Sequence, residues 1–230
     1  MNHPKEVRAL KIARQLRSDG HPGIGDPLRV FMLPLSELNT FLTIKDFGDT
    51  LPVFGVCAGD WDLKGRALER LPLYRMCEEH FGAGVPWPET QGFRDFSRLR
   101  PGNSRDRNLN PEYLKYLDSV FDQIRTHGYR TQSELRHHRD FLGARASPLN
   151  EIQVFVGRDG QCMVKLGLHR TILAKLQKLD SIPVRTRVRH TEWQAIRDEL
   201  CRSGGTAVSE RAKRHLAHPE LQDVWPVGPS

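Results

Sequence analysis

Apolar and polar positions alternate most clearly between Glu151 and His190. Ile152, Val154 and Val156 alternate with Gln153 and Phe155, the two-residue period of a strand. Arg158-Asp159-Gly160 has hairpin-turn chemistry, since glycine accepts positive φ without a Cβ clash. Met163, Val164 and Leu166 predict the return strand. Gly167-Leu168-His169-Arg170 then opens a helix whose Ile172, Leu173, Leu176 and Leu179 share one face. Asp180 and Ser181 break it, and residues 182–188 read as strand again. The predicted order is strand, turn, strand, glycine, helix, strand.

The flanking regions carry weaker patterns. Residues 4–18 predict a helix with Val7, Leu10, Ala13 and Leu16 on its apolar side. Lys5, Arg8, Lys11, Arg14 and Arg17 recur every third residue and so drift around a 3.6-residue helix without forming one narrow stripe; a solvated face is the expected reading, with a membrane-surface or nucleic-acid arm as the alternative. Residues 21–27, rich in Gly and Pro, read as a linker. Residues 28–33 and 51–57 are strand candidates, the second running into Gly59-Asp60-Trp61-Asp62. Leu71-Pro72 starts a helix with Leu73, Cys77 and Phe81 inward and Gly82 at its end. Residues 85–96 predict a packed loop or lid, and residues 96–109 a basic loop carrying Arg98, Arg100, Arg105 and Arg107. Asn110-Pro111-Glu112 is a capped helix start, Tyr113, Leu117, Val120, Phe121 and Ile124 form that helix's apolar face, and Gly128 ends it. Thr191 to Gln194 has a capping-box pattern, with Trp193, Ile196 and Leu200 on the helix that follows. Residues 209–217 suggest a last short helix, and residues 219–230 a loosely docked tail. Together these predict an α/β (α+β) fold, a small mixed sheet with flanking helices, divided into residues 1–27, 28–109, 110–190 and 191–230.

Composition narrows the class. The chain has 230 residues, 38% hydrophobic and 8% aromatic, as expected of a globular protein. No apolar run approaches the roughly 18 residues of a membrane span. The first residues are charged and unlike a signal core, so a cytoplasmic protein is expected. Cys57, Cys77, Cys162 and Cys201 are scattered, which argues against a zinc site or disulfide framework. His137-His138 lacks a third ligand at metal spacing and is read as surface. The net charge of +7 favours anionic partners without selecting among nucleotides, nucleic acid and membrane surface. Oligomeric state is not legible.

Chemistry concentrates at the glycine corner. A strand that ends in Gly167 and turns into a helix aims free N–H groups and the positive helix end at one spot, and Gly167 permits close approach. His169 and Arg170 in the first turn oppose the dipole unless an anion lies between them. Local chemistry weighs a phosphate site and a basic solvent-exposed corner equally, with Lys175 further along the helix. This segment resembles the nucleotide-binding core of the ParB/sulfiredoxin-like superfamily, with its hairpin, G-x-[HR]-R helix start and "IPV" strand. The matching residues are Gly167, His169, Arg170, Ala174, Ile182, Pro183 and Val184. Leu117 to Gly128 resembles the helix that precedes the family's hairpin, so the likeness spans residues 112–190. It implies a ParB/sulfiredoxin-like core that holds nucleotide phosphates (ATP, ADP or CTP) at Gly167, Leu168, His169 and Arg170.

The departures from the family limit the activity. Leu168 stands where sulfiredoxins carry their catalytic cysteine, and Leu166 where many relatives have an acidic residue. Too few residues follow His190 for a partition protein's DNA-binding modules. By resemblance to the superfamily's free-serine kinase, a nucleotide-dependent phosphotransferase acting on a small hydroxyl-bearing acceptor is expected. The alternatives are a nucleotide-binding switch or interaction protein and, less favoured, a nucleic-acid binder. For transfer, Asp60 and Asp62 are the candidate catalytic carboxylates, to take a proton or hold Mg²⁺. An ordinary turn is the competing reading of either one alone. Arg185 and Arg187, on one face of the last strand, are candidate phosphate contacts if they do not simply blunt a sheet edge.

Overall fold

A computed structural model describes residues 4–43, 52–99, 109–135, 147–204, 206 and 208–225. Among them are seven strands in one mixed sheet with helices around it, as the patterning predicts. The strands are β1 (Phe31–Pro34), β2 (Thr40–Phe41), β3 (Gly55–Cys57), β4 (Arg66–Ala67), β5 (Ile152–Val156), β6 (Cys162–Leu166) and β7 (Ser181–His190). The helices are α1 (Pro4–Ser18), α2 (Pro72–Ala83), α3 (Gln91–Leu99), α4 (Pro111–His127), α5 (Leu168–Leu176), α6 (Thr191–Ser203) and α7 (Glu210–Lys213).

The sheet runs β1-β7-β5-β6-β2-β4. β5 and β7 are parallel neighbours, β5 and β6 an antiparallel hairpin. β1 pairs with the start of β7 and β3 with its end, on the side away from β5. β7 is therefore an interior strand. Strands from residues 28–109 and 110–190 share this one sheet, so the expected boundary between those regions does not separate two cores.

All five residues of β5 are buried. Ile152, Val154 and Val156 pack with Ala174 of α5 and Ile196 of α6. Phe155 faces the other side, with Trp61, Met163 and Val188. A strand covered on both faces does not need polar residues at alternate positions, which is why the alternation here is only partial. α2 and α4 add a second helical layer against Ile172 and Leu173 of α5. α4 starts as its sequence predicts: the Asn110 side chain accepts from the Glu112 amide at 2.9 Å, and Pro111 takes the first helical position.

Several local expectations change. α1 buries Ala9 and Ala13, while Val7 and Leu10 are exposed, because it docks through its small residues against Ile24 and Phe54. Residues 22–24 are no linker: a Cβ on Gly23 would lie 2.5 Å from the Arg197 backbone, so glycine is required for contact with α6. The 85–96 segment contains a 3₁₀ turn and the start of α3. α6 is capped by His190, whose ring accepts from the Glu192 amide, and not by Thr191. Residues 100–108, most of the expected basic loop, and His137-His138 lie outside the described residues.

The largest correction is the tail. Glu220 and Leu221 are completely buried. The Glu220 carboxylate accepts from Arg189 Nε at 2.7 Å, Arg197 Nη1 at 3.0 Å and Trp193 Nε1 at 2.8 Å. Burial alone would raise its pKa, but the two guanidinium groups outweigh that and hold it at about 2. Replacing Glu220 with Gln should cost about 3–5 kcal/mol, because two buried cations lose their shared counter-ion. The folded pKa lies below the ordinary value of 4.5. The carboxylate's contribution is therefore complete above pH 4.5 and lost as pH falls through about 2. Urea titrations of both proteins should show their stability difference shrinking across that interval; a difference constant with pH would show that the charge is not what stabilises the tail.

Candidate functional site

The hairpin β5–β6 and helix α5 build one side of a cavity of about 510 Å³, and α4 supplies the opposite wall. Gly167, Leu168, His169 and Arg170 all line it, so the predicted corner faces real space. Gly167 has φ +89°, in the left-handed region, and a Cβ there would lie 2.8 Å from Ile152 Cγ1. Glycine is thus imposed by backbone conformation and by β5, whatever binds nearby. No side chain caps α5, so its first-turn N–H groups stay available to a ligand.

His169 is buried, with Nδ1 3.2 Å from the Tyr113 hydroxyl and the two rings edge to face. Arg170 lines the cavity and bonds to two neighbours. Its Nη1 donates to the Tyr129 hydroxyl at 3.2 Å, and its Nη2 donates to the Asn150 carbonyl. Nη1 also lies 3.9 Å from Glu151 Oε2, an ion pair too long for a hydrogen bond. Burial pushes the Tyr129 phenol up to about 12, so it stays neutral beside the guanidinium.

Glu151 is the cavity's carboxylate, and sequence reasoning missed it. It is 1% exposed, and Oε1 accepts from the Gln132 amide at 2.5 Å. Oε2 accepts no hydrogen bond among the described residues. Burial raises its pKa, against the Gln132 amide and Arg170, which favour the charged form. Lys165, also buried, lines the cavity and donates to the Leu42 carbonyl at 3.3 Å. Two signals marked these residues: a glutamate directly before an apolar strand, and a lysine inside the short strand that follows. Most of the remaining wall is aromatic and aliphatic, including Leu71, Phe96, Tyr113 and Tyr116, with Gln132, Asn150 and Gln153 among it.

The other expected site residues lie elsewhere. Arg185 is 1% exposed and donates to the Pro27 carbonyl at 2.8 Å. Arg187 donates to the Pro52 carbonyl at 2.7 Å and to Gln153 at 3.0 Å. Neither lines the cavity, and neither guards a sheet edge; they tie backbone segments across an interior strand. Lys175 donates to the Leu35 carbonyl and Asn39, both at 2.9 Å, and pins the segment between β1 and β2.

Asp60 and Asp62 sit at the far end of the sheet. Gly167 packs on Ile152 at the start of β5, whereas Asp62 Oδ2 accepts from the Arg158 amide, just past the strand's other end. At about 3.3 Å per residue the two corners are roughly 15–20 Å apart. The structure does not bring phosphate corner and Asp pair into one centre. Asp62 is buried and binds Arg158 through Nε and Nη2, both at 2.8 Å; Asp60 is exposed and takes the same Nη2 at 2.7 Å. Burial would raise the Asp62 carboxyl, but the Arg158 side-chain and backbone donors hold it below its usual range. Trp61 packs edge to face on Phe155. Asp60, Trp61 and Asp62 thus close their loop onto Arg158 of the β5–β6 turn and Phe155 of β5. Asp62→Asn should cost about 1–3 kcal/mol in denaturant titrations, by weakening that clasp, and leave calorimetric binding in the distant cavity unchanged. A lost affinity without lost stability would return Asp62 to the site.

Among the described residues no group of three or more His, Cys, Asp or Glu could hold a metal ion, and no helix is long and apolar enough to cross a membrane. No protein-family model matches the chain, no curated protein matches it, and no solved structure matches it.

Proposed function

We propose that the cavity at the start of α5 binds a nucleotide, and that the protein transfers a phosphoryl group from it to a small hydroxyl-bearing acceptor. The observation that carries this reading is Glu151: a buried carboxylate with one oxygen unbonded among the described residues, on the same cavity as Gly167 to Arg170. The resemblance of residues 112–190 to the ParB/sulfiredoxin-like superfamily supports a nucleotide there.

The chemistry follows from these groups. The α5 N–H groups and Arg170 neutralise the phosphates, and the apolar wall takes the base. The acceptor oxygen attacks the terminal phosphorus, the bond from phosphorus to the leaving nucleotide oxygen breaks, and the acceptor proton passes to Glu151. A carboxylate raised above its usual range by burial is a stronger base than a solvated one. Positioning and charge neutralisation supply most of such a reaction. Mg²⁺, if carried in on the phosphates, would be held by phosphate and water oxygens, since Glu151 is taken by the acceptor proton. Asp60 and Asp62 have no part in this reading.

A nucleotide-binding switch without transfer is the second reading. It is favoured by Arg170 lying beside Glu151, which sets a cation against the would-be base. Nucleic acid is disfavoured, since Arg185, Arg189 and Arg197, part of the basic excess, are buried.

Calorimetry with ATP, ADP and CTP, each with and without Mg²⁺, tests the binding. Arg170→Ala should weaken it by about 1.5–3 kcal/mol, the usual worth of a charged hydrogen bond. Glu151→Gln should cut turnover at least a hundredfold and leave affinity within a few fold, because a base acts on the acceptor. Full turnover in that variant would leave the switch reading; absence of binding by every nucleotide at millimolar concentration would remove both.

A further inference from the structure

The contacts of Arg170 point to a second position for its side chain, and this inference rests on the nucleotide reading above. In the present position its two closest bonds go to neutral oxygens, the Tyr129 phenol and the Asn150 carbonyl. The carboxylate beside it is 3.9 Å away and accepts no hydrogen bond on that oxygen among the described residues. The guanidinium side chain is 25% exposed, while Glu151 is 1% exposed. A partly exposed cation thus screens a buried anion without bonding it. Arg170 also lies in the first turn of α5, within the very set of groups that would meet a phosphate.

We propose that Tyr129 is a positioning residue that parks Arg170 over Glu151, and that the nucleotide phosphate draws the guanidinium away and frees the carboxylate as a base. A phosphate carries a negative charge that the phenol and carbonyl oxygens lack, so the guanidinium gains Coulomb attraction by moving to it, and the exchange runs downhill once phosphate arrives. When the guanidinium leaves, Glu151 loses a neighbour that favours its charged form. Its affinity for a proton rises at the moment an acceptor hydroxyl needs one. Donor binding thereby readies the base, and the carboxylate stays screened while the cavity holds no phosphate.

The Tyr129 hydroxyl stabilises the parked position and makes no contact with the ligand in this scheme. Tyr129→Phe should therefore tighten nucleotide binding about 2- to 10-fold, the worth of one hydrogen bond. The gain should vanish in an Arg170→Ala background, since the phenol acts only through Arg170. A purely structural role for Tyr129 predicts weaker binding and no such coupling. Calorimetry with the nucleotide that binds the wild type best, at equal thermal midpoints, gives the reading. Unchanged or weaker binding by Tyr129→Phe, or an equal gain without Arg170, overturns the proposal while the nucleotide site stands. If Tyr129→Phe fails to fold, Glu151→Gln takes its place: it removes the charge that favours the parked position and should tighten binding 2- to 3-fold, and no tightening overturns the proposal. No nucleotide bound by the wild type overturns the site and the parked arginine together.

Discussion

One buried anion organises much of this molecule. Arg189 is anchored in the interior strand β7 and Arg197 on α6, and both are almost completely buried. Guanidinium groups in such surroundings require a compensating charge, since isolated charges in a low-dielectric interior are expensive. Glu220 supplies it, and Trp193 donates to the same carboxylate. The same arginines bind the N-terminal segment: Arg189 donates to the Ile24 carbonyl at 3.0 Å and Arg197 to the Gly23 carbonyl at 2.8 Å. Arg29 answers from that segment with bonds to the Pro219 and Glu220 carbonyls. Sheet, α6 and both terminal segments thus meet at one charge cluster.

This arrangement leaves the two ends of β5 with different tasks. Its far end, closed by Asp62, Arg158 and the loop from β3, is held by ion pairs and aromatic packing. Its near end has fewer such ties: an uncapped helix start, a left-handed glycine and a carboxylate with an unused oxygen surround a cavity. A rigid strand between a clasp and a cavity is a suitable mount for groups that must meet a ligand at fixed positions.

The hairpin, α4, α5 and β7 were legible because turn chemistry, a capping asparagine and helical periodicity all point the same way there. The corner at Gly167 was legible as a place, since only glycine opens a helix so close to a strand. Arg185 and Arg187 misled because strand periodicity shows which residues share a face and says nothing of what covers that face. Asp60 and Asp62 misled because two acids near a strand end look alike whether they meet a ligand or an arginine. Arg158, their partner, lies almost a hundred positions further along and cannot be paired with them by spacing. Glu220 was unreadable for the same reason: a lone acid in a short polar segment carries no local mark of burial. Glu151 had one, a charge placed at the threshold of an apolar strand.

The position of Glu220 has a consequence for the order in which the chain can mature. During synthesis from the N-terminus, β7 and α6 emerge before their counter-ion does. Until residue 220 arrives, Arg189 and Arg197 have strong reason to remain hydrated, so the sheet's interior strand cannot be sealed from that side. Sealing that side of the core requires the long-range contacts that join residues 23–29 to 219–223. Such long-range closure is slow by topology. It also makes the arrival of Glu220 a condition for drying the core around Arg189 and Arg197.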